Sequence, residues 1–144
     1  MNRNEAITMV LTELEHAKML HPVWPANRIH QAAIVMEEAG ELTQATLEAH
    51  YEPHKGGTPL KEAVQTAAMA IRLLMDAGSQ VSHEITTRVF SFIDRDREIY
   101  PAALDQITAA TRIFRACGEL EESRLTAAYR TAAMAIRFLE DNAP

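Results

Sequence analysis

Two acidic side chains one helical turn apart are the residues best suited to chemistry in this chain. Glu38 and Glu41 lie three positions apart in a stretch whose apolar residues recur at helical spacing. Because an α-helix advances about 100° per residue, both carboxylates project from the face that carries Ile34 and Leu42. Glu37 lies further round the helix. An apolar face is expected to point to the core, where a carboxylate without a partner is strongly unfavourable.

A third acid is expected to enter the same interior from the next helix. Glu62 lies one turn before Gln65, on a helix that is apolar on almost every other side and should be largely buried. Carboxylates on facing helices require a compensating positive charge, and Mg²⁺, which prefers oxygen ligands, supplies one. The alternative is that these glutamates form salt bridges with Lys61, Arg72 or Arg28, or lie at a solvated edge.

The elements that must position these acids are all predicted to be helices. Only five Gly and six Pro occur in 144 residues, and the commonest residue types are good helix formers. Gly78 and Ser79 are expected to end the third helix and Ser82 to cap the fourth. The predicted helices span residues 4–19, 25–51, 59–77, 82–98, 101–117 and 121–141, with a loop over residues 52–58.

The two halves of the chain resemble each other. Residues 66–72 recur letter for letter as residues 131–137, and residues 40–42 recur as residues 118–120. Chance similarity between alanine-rich helices is one interpretation. A tandem duplication with a shortened second copy explains a seven-residue identity better.

The duplication predicts one all-α domain built from two degenerate repeats, residues 1–78 and residues 79–144. The second copy keeps Glu119 in place of Glu41 but has lost the other acids, so we expect it to be a packing partner and not a second site. The positions that match Glu37, Glu38, Glu62 and Gln65 are Arg115, Ala116, Ala127 and Arg130.

The composition narrows the class of partner. A net charge of −6 argues against binding nucleic acid through its phosphates. Cys117 is the single cysteine, which excludes an intrachain disulfide and suits a reducing compartment. The N-terminus lacks the apolar core of a signal peptide, and the most apolar stretch, residues 67–75, is interrupted by Arg72. These features predict a soluble, cytoplasmic protein with neither a nucleic-acid nor a membrane partner.

The acidic block resembles a known signature. Glu37-Glu38-x-x-Glu41, followed on the next helix by Glu62, resembles the EExxE…ExxD pattern of the MazG-like all-α nucleotide pyrophosphohydrolases, the superfamily of MazG and the dimeric dUTPases. The resemblance implies a helical bundle of the MazG-like type that holds Mg²⁺ through Glu38, Glu41, Glu62 and position 65. At that last position this chain has Gln65, which keeps a carbonyl oxygen and removes one negative charge.

The resemblance further implies a reaction. A nucleoside triphosphate, with a deoxynucleotide favoured, would be hydrolysed between its α and β phosphates to the monophosphate and pyrophosphate. Metal ions can lower the pKa of a bound water. A glutamate not fully engaged with metal, Glu37 or Glu41, is expected to orient or deprotonate the attacking water.

Candidate substrate-binding residues surround the acids in sequence. Lys55, Lys61 and Arg72 are the candidates for binding pyrophosphate, with an ordinary surface charge as the alternative for each. Trp24 precedes the acidic helix, where members of the superfamily place aromatic residues that contact the base. It could equally be a core anchor. Asn27 is a further base-reading candidate.

Two rival functions share the predicted fold. In one, Gln65 marks a catalytically weakened protein that binds nucleotide without turnover. In the other, the chain is a structural bundle that oligomerises through its alanine-rich faces. A homodimer or a higher homo-oligomer is expected in either case, because a bundle this short buries limited area by itself.

Overall fold

The computed structural model describes residues 1–77 and 82–144, which form six α-helices and one short 3-10 turn with no β-strand in these residues. This confirms the all-α prediction. None of the helices in the described residues combines the length and the hydropathy that crossing a bilayer requires. The helices are α1 (Arg3–Leu20), α2 (Arg28–Tyr51), α3 (Pro59–Ala77), α4 (Ser82–Ile99), α5 (Gln106–Cys117) and α6 (Arg124–Asn142), and the 3-10 turn is Pro53–Lys55.

Helices α3 and α6 form the centre of the molecule. They pack against each other, α2 packs on α3, α5 packs on α6, and α2 and α5 pack together, so these four helices close a bundle. Helix α1 lies against α3 and α6, and α4 lies mainly against α6. Small side chains allow helix backbones to approach closely. The two central helices are rich in fully or almost fully buried alanines: Ala67, Ala68, Ala70, Ala132, Ala133 and Ala135.

The helix bounds agree with the sequence prediction in α1, α3 and α4, to within one residue at each described end. The predicted end of α3 at Gly78 and Ser79 lies outside the described residues. The predicted cap at Ser82 does too, since neither its side chain nor the residue before it is described.

The predicted starts of α2 at Pro25 and of α5 at Pro101 are wrong. Helix α2 begins at Arg28 because Asn27 caps it, and α5 begins at Gln106 because Asp105 caps it. Both caps accept hydrogen bonds from the free backbone amides of the first helical turn, which a proline cannot do. Helix α6 begins at Arg124, which is three residues later than predicted.

Helices α2 and α3 run antiparallel. At one end the Gln31 Nε2 donates to Asp76 Oδ2 at 2.8 Å, which joins the start of α2 to the end of α3. At the other end the connecting turn closes tightly. Gly56 has a φ of 72°, and a Cβ on Gly57 would lie 2.7 Å from the carbonyl oxygen of Ala45. This turn brings the first residues of α3 against the middle of α2, where the predicted acids lie.

Candidate metal centre

Three carboxylates meet where α2 faces the first turn of α3. An oxygen from each of Glu38, Glu41 and Glu62 lies within 4.8 Å of the others. This is the one such grouping of metal-binding side chains among the described residues. Glu62 is buried, Glu38 is half-buried and Glu41 is exposed. The cluster therefore sits at the edge of the bundle, where a ligand can reach it from solvent.

The cluster strongly perturbs Glu38. Burial, together with the negative charges of Glu41, Glu62 and Glu37, raises the pKa of its carboxyl to about 7, while Lys61 opposes this shift. A pKa near neutrality means that the protein alone does not fully compensate this charge. A bound cation would favour the ionised form and lower the pKa again.

Three oxygen atoms on these two helices are buried and accept no hydrogen bond from the described residues: Glu38 Oε2, Glu62 Oε2 and Gln65 Oε1. The second Glu62 oxygen has partners, with Lys61 Nζ at 3.2 Å and Thr58 Oγ1 at 3.4 Å. A buried acceptor without a donor costs free energy. Because all three atoms are oxygens and two belong to carboxylates of the cluster, their chemistry suits a hard divalent cation.

A cavity of about 360 Å³ opens beside the cluster. Glu38 and Gln65 form part of its wall and so connect it to the carboxylates. Trp24 lines it as well, and its buried indole N–H has no acceptor among residues 1–77 and 82–144. The guanidinium of Arg72, which also lines the cavity, lies 4.8 Å from the centroid of the Trp24 ring. The cavity thus offers an aromatic side chain next to an acidic cluster.

Three further residues predicted from sequence lie at this site. Glu37 is exposed and lines the cavity. Lys61 is exposed and pairs with Glu62 in the cluster. Arg72 is buried, and its Nη2 donates to the carbonyl oxygen of His21 at 2.6 Å, so it also holds the end of α1.

Two predicted substrate-binding residues lie elsewhere. The Asn27 side-chain oxygen accepts from the backbone amides of Ile29 at 2.9 Å and His30 at 3.3 Å, as the N-cap of α2. Lys55 pairs with Glu52 at 2.8 Å in the 3-10 turn. Neither residue lines the cavity.

One wall of the cavity was not predicted from sequence. Helix α1 contributes Glu13, His16, Ala17 and Leu20 to the lining. Nothing in the periodicity of α1 says which helix it packs against, so no sequence signal marks these residues. The proline-rich segment after α1, by contrast, does carry a sequence signal, since it places His21 and Trp24 close together along the chain.

The chain matches no protein-family model, no curated protein and no solved structure. Its function is therefore inferred from the geometry of this site together with the residues of the acidic block.

Proposed function

We propose that this protein is a Mg²⁺-dependent hydrolase that converts a nucleoside triphosphate to its monophosphate and pyrophosphate, as in the MazG-like superfamily. The observation that carries the proposal is the grouping of three carboxylates and three unpartnered oxygens beside a cavity. Lys61 pairs with Glu62, as the salt-bridge alternative predicts, but this pair leaves the three buried oxygens without a donor among the described residues.

In this proposal Glu38, Glu41, Glu62 and Gln65 hold the metal. Mg²⁺ bound there would neutralise phosphate charge and lower the pKa of a water molecule. Glu37 is exposed on the cavity wall, one residue from the cluster, where it can accept a proton from the attacking water. Glu41 is the alternative base, because it is the most exposed member of the cluster.

The cavity suits the rest of a nucleotide. The Trp24 ring lines the cavity and offers a stacking surface for a base. Arg72 packs over the Trp24 ring and also donates to the carbonyl oxygen of His21. These two contacts keep Trp24 in place. Lys61 is the cation best placed for phosphate, since its ammonium lies at the cluster and its side chain is 64% exposed.

The two halves are proposed to be degenerate tandem repeats. Equivalent arginines make equivalent contacts, which favours this interpretation. Arg72 donates to the carbonyl of His21 just after α1, and Arg137 donates to the carbonyl of Tyr100 just after α4.

A homodimer or higher homo-oligomer remains a prediction, which sedimentation of the purified protein would check.

The test is pyrophosphate release from eight ribo- and deoxynucleoside triphosphates with Mg²⁺. We expect turnover of at least one of them, abolished by Glu38→Gln. The matched control is Glu48→Gln, which removes one carboxylate from the same helix outside the cluster and should leave turnover intact. Equal loss in both variants would show that the cluster has no particular role.

A second candidate function is favoured by Gln65 alone. With one negative charge fewer than the superfamily pattern, the site could bind a nucleotide with Mg²⁺ and not hydrolyse it. Mg²⁺-dependent nucleotide binding by folded protein, with no pyrophosphate released, would favour this candidate. A protein that binds neither Mg²⁺ nor nucleotide would exclude both and leave a structural bundle.

A further inference from the structure

Arginines line a second pair of hollows, on the other half of the molecule. A hollow of about 360 Å³ lies between α4, α5 and α6, and a smaller one of about 150 Å³ adjoins it. The two share the side chains of Tyr100, Arg112, Arg130 and Met134, so they form one continuous cleft. We call it the arginine cleft.

Positive charge exceeds negative charge in the arginine cleft, although the chain as a whole has a net charge of −6. Asp96 and Glu119 are its two acids. Asp96 is shared, since Arg112 pairs with it at 2.6 Å and Arg137 at 2.8 Å. Four arginines line the cleft: Arg95, Arg112, Arg115 and Arg130.

Three of these arginines are available to a ligand, and one of them, Arg95, is exposed with its guanidinium 5.7 Å from the centroid of the Phe92 ring. Arg115 is exposed and forms no ion pair within residues 1–77 and 82–144. Arg130 pairs with Glu119 at 3.1 Å, but both side chains are about half exposed, at 43% and 54%. Such surface pairs contribute about 0–1 kcal/mol, so an anion with more charge can displace the Glu119 carboxylate.

Two of the arginines that create this charge stand at positions that match the acidic site in the first half. Arg115 matches Glu37, and Arg130 matches Gln65. Loss of metal ligands alone would not require arginine at both places. Guanidinium groups bind phosphate oxygens in a bidentate manner, and several of them around one hollow suit a ligand with more than one phosphate.

We propose that the arginine cleft binds a polyphosphate group, either as free pyrophosphate or as part of a nucleotide, without a metal ion. Arg115 and Arg130 contact the phosphates from the smaller hollow. The larger hollow, lined by Tyr100 and Phe92, has room for a group attached to them. The proposal does not depend on the function of the carboxylate cluster, since EDTA prevents metal binding there.

Calorimetric titration of pyrophosphate and of ATP into the protein, in EDTA at low ionic strength, tests the proposal. We expect one site per chain in the wild type and about tenfold weaker binding in the Arg115→Ala/Arg130→Ala double variant. Glu119→Gln should bind severalfold more tightly, because it removes the carboxylate that competes for Arg130. All three substituted residues lie at the surface, with Arg130 about half exposed, and the circular dichroism spectrum checks folding.

Two controls and a comparison of ligands complete the experiment. Arg28→Ala removes an exposed arginine from the start of α2, and Glu38→Gln alters only the carboxylate cluster. Neither should change binding. Tighter binding of ATP than of pyrophosphate, lost in Tyr100→Ala, identifies a nucleotide, and equal binding identifies the polyphosphate alone. Absence of binding, equal weakening by Arg28→Ala, or weaker binding by Glu119→Gln would overturn the proposal.

Discussion

Glu38 illustrates the opposed demands on a single residue of the site. Its helical position turns the side chain toward the core, where the carboxyl is half-buried among other acids. The free protein accommodates this by raising the pKa of the carboxyl to about 7. A carboxyl whose pKa rises on folding makes the free energy of unfolding depend on pH.

The first prediction concerns this pH dependence. Because the folded pKa of Glu38 lies above its ordinary value of 4.5, the folded state binds the proton more tightly between pH 4.5 and about 7. The stabilising contribution is complete below pH 4.5 and is lost as the pH rises through 7. Solvent screening of a half-buried carboxyl limits the effect to about 1–2 kcal/mol. Urea unfolding in EDTA at pH 5 and pH 8 measures it.

Glu38→Gln should flatten this pH dependence, whereas Glu48→Gln should keep it. In the wild type, Mg²⁺ should restore stability at pH 8 more than at pH 5, because at pH 5 the ion must displace a proton. An identical pH slope in wild type and Glu38→Gln would refute the assignment of the raised pKa.

The second prediction concerns Gln65. Gln65→Glu adds a fourth carboxylate beside an acidic cluster, so it should destabilise the metal-free protein and tighten Mg²⁺ binding by about tenfold. Titration calorimetry with Mg²⁺ measures the affinity. The control Gln106→Glu places the same charge at the start of α5 and should leave Mg²⁺ affinity unchanged. If Gln65→Glu also leaves it unchanged, Gln65 does not face the metal.

Part of this site could be predicted from sequence because helical geometry is local. The spacing of Glu38 and Glu41 fixes their common face, and the apolar surroundings of Glu62 indicate its burial. The degree of burial of each carboxyl could not be predicted, since it depends on how α2 and α3 approach. The same holds for Arg72, whose partner carbonyl lies 51 residues away.

At the scale of secondary structure, the ends of helices were harder to predict than their interiors. Apolar periodicity extends through a whole helix, whereas an end depends on one side chain. Pro25 and Pro101 favour helix starts at their own positions, but the polar residues Asn27 and Asp105 a few positions later satisfy the free amides. Where a proline and a polar capping residue lie a few positions apart, either one could mark the start of the helix. The backbone path then decides which of them does.

The third prediction separates two roles for Asn27. As the N-cap of α2, its replacement by alanine should lower the free energy of unfolding by about 1 kcal/mol, and Asn27→Ser should restore most of this. Neither change should alter the KM for the nucleotide, because Asn27 does not line the cavity. Denaturant unfolding and steady-state kinetics on the same preparations measure both. A raised KM in Asn27→Ser, with stability kept, would instead assign Asn27 to the substrate.

At the scale of the whole molecule, charged side chains join helices to one another. The sequence predicts the order of these helices along the chain but not which of them pack together. Arg137, only 2% exposed, donates to Asp96 on α4 and to Asp141 on its own helix α6. Arg112 on α5 donates to the same Asp96. Asp96 lies 16 residues from Arg112 and 41 residues from Arg137 in the chain, so nothing in the sequence pattern pairs them.

The fourth prediction tests this connection through Asp96. Burial would raise the pKa of its carboxyl, but the hydrogen bonds and charges of Arg112 and Arg137 outweigh burial and lower the pKa below its usual 3.8. Asp96→Asn should reduce the free energy of unfolding by about 2–3 kcal/mol at pH 7, since it leaves a buried guanidinium with one carboxylate fewer. Asp94→Asn is the matched control, because Asp94 is 63% exposed on the same helix and pairs with Arg3 at the surface. It should cost less than about 1 kcal/mol.

The pH dependence gives this prediction its sign. A carboxyl whose folded pKa is lowered contributes stability above its ordinary pKa and loses it as the pH falls through the folded value. The difference between wild type and Asp96→Asn should therefore be largest at neutral pH and should shrink below about pH 3.8. Urea unfolding of both variants across this range measures it. Equal losses for Asp94→Asn and Asp96→Asn would mean that α4, α5 and α6 are held together by their apolar contacts, with the buried arginine already satisfied by Asp141 and the backbone carbonyls.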